Sequence, residues 1–461
     1  MQLESAPRAT YAKKPRSLTG LDWRRTVLVT LPFMGALTFW QAYDGLVPLM
    51  FKNTFGFGDT ATGFFMALDN ILALFMLPLT GMLSDKLNTK WGRRTPFIVV
   101  GALVAALLIP MIAIANTWRN LPLFIAMLVL TLLVLSTYRA PSVALMPDVT
   151  PRPVRSKADA FNSLMAAVGG VIILVAITLL VPAVDNPDYR PIYFTIAGIV
   201  ALTTVVFAVC FREPREVAAM HEESRELGIA EQDIDSDEGG NERESDPQVR
   251  RSLLCVLACV FLFFMSQNAI SSGFSRYADV VWGMQGGGYA QVQTAATMAA
   301  LVAYMPMASI ACHIGRKRTT YIGLALMVAG CLLISASTTY SPIVYLWTIM
   351  FGVGTATVSL TIYPMIMELA STKTTGRYTG YYYTASMSAQ IVTPILSGAV
   401  MQFIGYSQLY LYGAAFAAIA MVPILFVRHG DSLTMRDVRS RQAAWEVEHA
   451  RDEMACGGTA A

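Results

Sequence analysis

Long apolar segments separated by short polar connectors dominate the pattern of this chain. Twelve of these segments have about the 20 residues that a helix needs to cross the hydrocarbon of a bilayer. They cover roughly residues 23–50, 61–83, 95–115, 120–147, 160–182, 192–211, 252–276, 289–313, 319–338, 342–369, 380–403 and 407–427. The pattern predicts an all-α polytopic membrane protein with twelve transmembrane helices.

One connector, residues 212–250, differs from the others in length and composition. It is polar, acidic and poor in aromatic residues, so we expect it to be largely unstructured. It divides the chain into an N-terminal bundle of six spans, residues 23–211, and a C-terminal bundle of six, residues 251–428. The remaining segments, 1–22 and 429–461, are predicted to be polar tails.

The composition supports this class of protein. Of 461 residues, 55% are apolar and only 14% are charged, whereas soluble proteins carry about 25% charged residues. This deficit argues against a soluble enzyme or a disordered regulator. A net charge of +3 gives no reason to expect a nucleic-acid partner, so the lipid bilayer is the expected surrounding of the chain.

Lysine and arginine are distributed unevenly between the two sets of connectors. They cluster before span 1 and after spans 2, 4, 8, 10 and 12, whereas the opposite connectors hold only Lys52, Arg119, Arg190 and Arg276. Because cytoplasmic loops carry the excess of basic residues, we expect both tails and the 212–250 connector to lie in the cytoplasm. The predicted location is the cell membrane, either plasma or inner, with multiple crossings.

The two halves resemble each other at a separation of about 220 residues. The sequence GMLSDKLNTKWGRRTPF follows span 2 and ACHIGRKRTTY follows span 8, while Asp148 and Glu368 occupy equivalent places after spans 4 and 10. Such a repeat indicates two bundles of the same architecture. Two six-helix halves in the same orientation are typical of secondary transporters, whose binding site lies between the halves near the midplane.

The connector after span 2 resembles the loop motif of the major facilitator superfamily. The residues that carry this resemblance are Gly81-x-x-Ser84-Asp85 and Gly92-Arg93-Arg94. The longer strings SDKLNTKWGRRTPF and PDVTPRPVRSKAD, with the Asn268-Ala269…Phe274-Ser275-x-Tyr277 stretch of span 7, are similar to the glycoside–pentoside–hexuronide:cation symporters, and most of all to their sucrose–proton-transporter-like branch. The resemblance covers about residues 23–427. It implies alternating-access symport of a glycoside or oligosaccharide with a cation.

Charged residues at the predicted cytoplasmic helix ends are candidates for a gate. With the resemblance, their position implies that they pair across the two halves in one gate state and release in the other. The alternative is that they only set topology and extend toward the membrane surface. The set consists of Asp85, Arg93, Arg94, Asp148, Arg155, Arg316, Arg318, Glu368 and Arg377.

Ionisable residues inside spans are costly, and they commonly mark functional sites. Asp44 on span 1 and Asp69 on span 2 are predicted at one level, with Arg139 of span 4 deeper. We expect these three residues to couple transport to a cation, whose binding to a carboxylate weakens the attraction for the arginine. A static buried ion pair is the alternative.

A departure from the family pattern bears on the choice between H⁺ and Na⁺. The sodium-coupled relatives carry two carboxylates one turn apart on span 2, and here Leu77 and Ala73 occupy those positions. A lone carboxylate can carry a proton, whereas Na⁺ requires several oxygen ligands. This difference favours H⁺ over Na⁺.

Uncharged polar and aromatic residues within the spans are the candidates for substrate binding. Sugar sites combine aromatic faces with amide, carboxylate and hydroxyl partners. The candidates are Trp40, Gln41, Tyr43, Asn70, Tyr138, Gln267, Asn268 and Gln390. Aromatic residues near helix ends can instead belong to the interfacial belt of a membrane protein.

Other classes of function find less support in the chain. It has no Walker loop, no Ser/His/Asp set and no zinc spacing, so we expect secondary transport, no catalysis and no cofactor besides the co-transported H⁺ or Na⁺. An exporter or facilitator of another small solute on the same fold stays open, because fold alone does not fix the substrate. A membrane-embedded enzyme or a non-transporting sensor is the remaining alternative.

Overall fold

A computed structural model of the chain describes residues 22–86, 89–151, 155–184, 186–226, 247–369 and 375–427. In these ranges the chain forms thirteen α-helices and no strand: α1 (Trp23–Leu49), α2 (Asp59–Lys86), α3 (Thr95–Thr117), α4 (Leu121–Asp148), α5 (Arg155–Leu180), α6 (Arg190–Cys210), α7 (Glu213–Glu226), α8 (Pro247–Trp282), α9 (Tyr289–Ile314), α10 (Arg316–Ala336), α11 (Ile343–Leu369), α12 (Thr375–Phe403) and α13 (Gln408–Phe426). A π-helical turn, Met50–Thr54, extends α1.

All helices except α7 coincide with the predicted spans, so the all-α polytopic fold is confirmed. Within the described ranges, ten helices are long and apolar enough to cross a membrane. The other two long helices, α1 and α12, are more polar. They pack inside the bundle, α1 against α5, α6 and α8, and α12 against α2 and α8. Because other helices cover part of their surface, α1 and α12 can carry more polar residues than a helix surrounded by lipid.

The connector between the halves begins with a helix, so the expectation of a largely unstructured segment is wrong for residues 213–226. Helix α7 is held by its charges. Glu216 and Glu223 pair with Arg25 of α1 at 3.0 and 2.8 Å, and Glu213 accepts hydrogen bonds from the first backbone N–H groups of α3. The amino-acid composition of the connector does not reveal partners that lie more than 100 residues away in sequence. Residues 227–246 and nearly all of both tails lie outside the described ranges.

The internal repeat is visible in two equivalent ion pairs. Arg94, at the start of α3, pairs with Asp148 at the end of α4. In the second half, Arg316 at the start of α10 pairs with Glu368 at the end of α11, at 2.7 Å. Each pair ties the third and fourth spans of its own half together, as the internal repeat predicts.

The halves join where α1 ends and α2 begins, a region called here the sealed end. Helix α1 packs on α8, α2 on α12, and α5 on α9. Glycines allow the closest approach: a Cβ on Gly63 would lie 2.0 Å from the carbonyl oxygen of Pro394, and one on Gly398 would lie 2.4 Å from that of Asp59. Only hydrogen fits at these crossings, because a methyl group would overlap backbone atoms of the opposite half.

Farther from the sealed end, α9 and α2 have side chains that are exposed rather than buried. On α9, Tyr289, Ala290 and Val292 are buried, whereas Met305, further along the same helix, is 85% exposed. On α2, Phe75 and Met82 are likewise exposed. The contacts between the halves named above thus lie at the sealed end, and the opposite end of the bundle, toward which α2 and α9 expose these side chains, is called here the open end.

Candidate functional site

A cavity of about 220 Å³ lies between α1, α8, α9, α11 and α13. Its walls contain amides, hydroxyls and aromatic rings, and no charged side chain. They are formed by Gln41, Gln267, Ile270, Ser271, Phe274, Val292, Gln293, Ala296, Thr297, Ala300, Thr348, Phe351, Gly352, Thr355 and Tyr410. All of these except Gln41 belong to the C-terminal half, so the cavity is built mainly by that half.

The N-terminal half contributes a charge cluster in which buried Asp69 and half-buried Arg139 lie on either side of the half-buried Trp40. The indole Nε1 of Trp40 donates a hydrogen bond of 2.9 Å to Asp69 Oδ2, and the guanidinium of Arg139 lies 4.7 Å from the centroid of the Trp40 ring. The structure thus brings Asp69 and Arg139 together through the indole, and no direct ion pair joins the two.

Asp69 retains one oxygen for a further partner. It is almost fully buried, and within the described part of the chain its Oδ1 has no hydrogen-bond partner. A buried carboxylate oxygen without a donor is unfavourable as an anion and well suited to carry a proton.

Asp44 faces the C-terminal half. Its Oδ2 accepts a hydrogen bond of 3.3 Å from the hydroxyl of Ser271 on α8, and Ser271 lines the cavity. One hydrogen bond therefore connects an acidic residue of the N-terminal half to the wall of the cavity. Asp44 and Asp69 also lie near enough to interact electrostatically.

Of the predicted substrate-binding residues besides Trp40, two line the cavity, two are half-buried amides, and three pack elsewhere. Gln41 and Gln267 line the cavity. Asn268, beside Gln267, is half-buried and its Oδ1 has no partner among the described residues. Asn70 is also half-buried and follows Asp69.

The other three, Tyr43, Tyr138 and Gln390, are not among the residues that line the cavity. Tyr43 is buried, and its hydroxyl donates to the carbonyl oxygens of Phe65 and Met66. Tyr138 is fully buried, and its ring covers Gly101 of α3. Gln390 donates to the backbone of its own helix. In this conformation these three side chains contribute packing and local hydrogen bonds rather than cavity wall.

Four of the predicted gate residues form two ion pairs in this conformation, Arg94 with Asp148 and Arg316 with Glu368, each within its own half. Besides Asp148, Arg94 contacts the hydroxyl of Ser84 at 3.3 Å, and Arg316 reaches Glu368 within its own half. Arg93, Arg318 and Arg377 are exposed. The side chains of Asp85 and Arg155 lie outside the described part of the structure.

Among the described residues, two ion pairs that join the halves lie at the sealed end, and sequence reasoning assigned them no role. Arg276 of α8 is fully buried and pairs with Asp59 of α2 at 2.8 Å, and the Tyr406 hydroxyl also donates to Asp59. Nearby, Lys52 pairs with Asp279 at 3.3 Å. The signal in the sequence was Arg276 itself, a basic residue in a span whose connector is otherwise poor in basic residues.

Comparisons with known proteins agree with this architecture. The sequence profile of the family described as MFS/sugar transport protein matches residues 31–427. No curated protein sequence matches the chain.

Solved structures share the fold at low sequence identity. The inward-open xylose transporter XylE from E. coli is 14% identical, with a TM-score of 0.63 over 90% of this chain and 98% of that one. A mutant of the nucleoside transporter NupG is 12% identical, with a TM-score of 0.63 over 87% and 99%. A proton-dependent oligopeptide transporter is 13% identical, with a TM-score of 0.62 over 88% and 99%. The chain is thus a multi-pass membrane transporter rather than an enzyme, and it belongs to the MFS/sugar transport protein family of the major facilitator fold.

Proposed function

We propose that the protein imports a glycoside or oligosaccharide together with a proton, by alternating access. The observation that carries this proposal is the juxtaposition of an uncharged polar cavity with buried carboxylates, linked by the hydrogen bond between Ser271 and Asp44. The cavity supplies a place for a neutral solute, and the carboxylates supply a place for the ion that drives its accumulation.

The walls of the cavity favour a neutral polyhydroxyl substrate. The amides of Gln41, Gln267 and Gln293 can both donate to and accept from sugar hydroxyls, while Phe274 and Phe351 offer flat apolar faces. A charged substrate would lose its hydration with no opposite charge on the walls to replace it. The lining therefore supports a sugar over an organic ion.

The N-terminal cluster favours a proton as the coupled ion. A proton needs a single carboxylate oxygen, and Asp69 Oδ1 is buried and unpartnered among the described residues. In the same ranges, no group of three or more His, Cys, Asp or Glu side chains could hold a metal ion. Protonation of Asp69 removes its charge, weakens its attraction for Arg139 and allows the helices that carry the two residues to shift.

The distribution of basic residues orients this cycle. The open end carries the basic helix ends, so we place it in the cytoplasm of the cell membrane with both termini. The conformation described here is then closed to the outside and open inward. Substrate and proton enter when the contacts at the sealed end separate.

The test follows external pH in a lightly buffered, de-energised suspension of cells that express the protein. Sucrose, maltose, lactose, other glycosides and a nucleoside are added one at a time. We expect alkalinisation with at least one glycoside, and its loss in Asp69→Asn. The matched control is Asp188→Asn, since Asp188 is exposed and pairs with Arg190 on the surface; the hydrogen bond from Arg190 lowers the pKa of Asp188, so it is charged throughout the assay.

Three outcomes would contradict parts of the proposal. Sugar entry that depends on Na⁺ without any pH change would show that the proton assignment is wrong. Silence with every glycoside, with and without Na⁺, would show that the substrate is another solute. Loss of the signal in both Asp69→Asn and Asp188→Asn would remove the special role of Asp69.

A further inference from the structure

We propose that Ser271 is the positioning residue through which occupancy of the cavity and protonation of Asp44 control each other. This inference rests on the proposed function and adds to it the route by which proton and sugar communicate. Ser271 stands on α8 of the C-terminal half, and Asp44 stands on α1 of the N-terminal half, so their hydrogen bond crosses the interface that opens and closes during transport.

Ser271 touches both binding regions at once. Ser271 lines the cavity, and its hydroxyl donates to Asp44 Oδ2 at 3.3 Å. Within the described part of the chain, Asp44 makes no other hydrogen bond. The carboxylate of Asp44 and a ligand in the cavity therefore compete for the hydrogen bond that the Ser271 hydroxyl donates.

The other ionisable groups around Asp44 do not have this double contact. Asp69 of α2 interacts with it electrostatically, and so do the hydroxyls of Tyr43 on α1 and Tyr289 on α9. The Tyr289 hydroxyl lies against Gly45, where a Cβ would approach it to 1.9 Å. None of these three side chains lines the cavity, so they can influence Asp44 without sensing whether the cavity is occupied.

The chemistry of a hydroxyl gives the coupling its sign. A hydroxyl has one proton to donate, and its donation to a carboxylate stabilises the charged form. When a sugar oxygen accepts the hydrogen bond from Ser271 instead, anionic Asp44 loses its donor and becomes easier to protonate. Conversely, protonation of Asp44 frees the Ser271 hydroxyl to bind sugar. Each ligand therefore favours the other by the same factor, which is what symport requires.

The experiment measures sugar binding as a function of pH in purified full-length protein. The probe is an equimolar mixture of radiolabelled sucrose, maltose, lactose and raffinose, bound at pH 5.5 and at pH 8. Coupling between two sites commonly changes affinity by about 5- to 150-fold, and we expect tighter binding at pH 5.5 within that range. In Ser271→Ala, we expect this pH dependence to shrink by at least about fivefold.

Ser272→Ala is the matched control. Ser272 is the next residue on the same helix, and its hydroxyl donates to the backbone carbonyl of Asn268 instead of to a carboxylate. It should keep the pH dependence of the wild type. A role for Ser271 in packing alone would lower the affinity equally at both pH values and leave their ratio unchanged, so the ratio distinguishes positioning from packing.

The outcomes separate this inference from the proposed function. Wild-type protein that binds none of the four sugars at either pH would overturn both. Wild-type binding that depends on pH, with the same dependence in Ser271→Ala, would overturn the role of Ser271 alone. If Ser271→Ala binds no sugar at all, Ser271→Cys decides, because its weaker donor must give an intermediate pH dependence; a dependence equal to that of the wild type contradicts the inference.

Discussion

The indole of Trp40 donates to Asp69 at 2.9 Å and presents its ring to Arg139, 4.7 Å from the guanidinium. One aromatic side chain thereby holds an acid and a base that do not touch. The arrangement keeps the opposite charges near each other while leaving Asp69 Oδ1 free of a donor among the described residues. Trp40 is thus a structural part of the charge cluster rather than only an aromatic surface for sugar.

Trp40→Phe separates these two roles. The change keeps a ring near Arg139 but removes the donor to Asp69. A hydrogen bond to a charged group contributes about 1.5–3 kcal/mol, so without it the anionic form of Asp69 is less favourable, and protonated Asp69 releases its proton less readily. We expect the rate of sugar-driven alkalinisation to fall by about tenfold, which corresponds to roughly 1.4 kcal/mol.

The control for this change is Trp118→Phe, because Trp118 is 66% exposed at the end of α3. It should transport at the rate of the wild type. Equal rates in wild type and Trp40→Phe would show that the hydrogen bond to Asp69 has no part in coupling.

Asp59→Asn tests the buried pair at the sealed end. The substitution leaves Arg276 fully buried with no carboxylate in contact, and an uncompensated buried charge costs about 3–5 kcal/mol. Separation of the halves lets water reach the guanidinium, so the equilibrium moves toward a conformation that is open at the sealed end. Ala61 on α2 and Phe403 on α12 are exposed and can carry spin labels. Double electron–electron resonance then measures the distance between the two labels, which reports on the separation of the halves.

The reference is the spin-labelled protein in which the native cysteines are replaced and Asp59 is retained. We expect longer distances between the labels when Asp59→Asn is added to it. Asp188→Asn, which breaks an exposed pair within one loop, should leave the distances unchanged. Identical distributions in all three proteins would mean that the pair between Asp59 and Arg276 does not hold the sealed end closed.

Gly63→Ala tests the same closure by steric means. A Cβ at this position would lie 2.0 Å from the carbonyl oxygen of Pro394, and because that atom is backbone, α2 and α12 would have to separate. Sugar uptake should fall at least about tenfold, the effect of a change of roughly 1.4 kcal/mol. Gly198→Ala on α6 is the control, since a Cβ there meets nothing within 4 Å. Normal uptake in both variants would contradict tight packing at this crossing.

The fold was largely predictable because each helix has its own local signal. The length of the apolar segments predicted the twelve spans, and the repeated Gly-Arg motif located the two helix starts at which Arg94 and Arg316 form their ion pairs. Local patterns could not reveal partners far away in sequence. Glu213 meets Thr95 across 118 residues, and Arg276 meets Asp59 across 217.

The candidate site was predicted in part for the same reason. Asp44 and Asp69 can be recognised from the sequence because a charged side chain within a span is energetically costly, whichever way it faces. The hydroxyls of Ser271, Thr348 and Thr355 carry no such mark, because threonine and serine commonly bond to their own helix, as Thr348 and Thr355 do here. Tyr43 and Tyr138 were expected at the cavity, but a sequence does not show which face of a helix is turned toward it.

Glu213→Gln tests whether the connector helix stabilises the N-terminal half. The buried carboxylate of Glu213 accepts hydrogen bonds from the backbone N–H groups of Arg93 and Thr95, both at 2.8 Å, at the start of α3. An anion at a helix N-terminus is favoured by the helix dipole, and loss of a capping group costs about 0.5–2 kcal/mol. We expect the melting temperature in detergent to fall by a few degrees, since about 1 kcal/mol corresponds to roughly 2–4 °C in a domain of this size. Glu222→Gln, an exposed position on the same helix, should melt with the wild type; equal melting of Glu213→Gln would mean that α7 does not support α3.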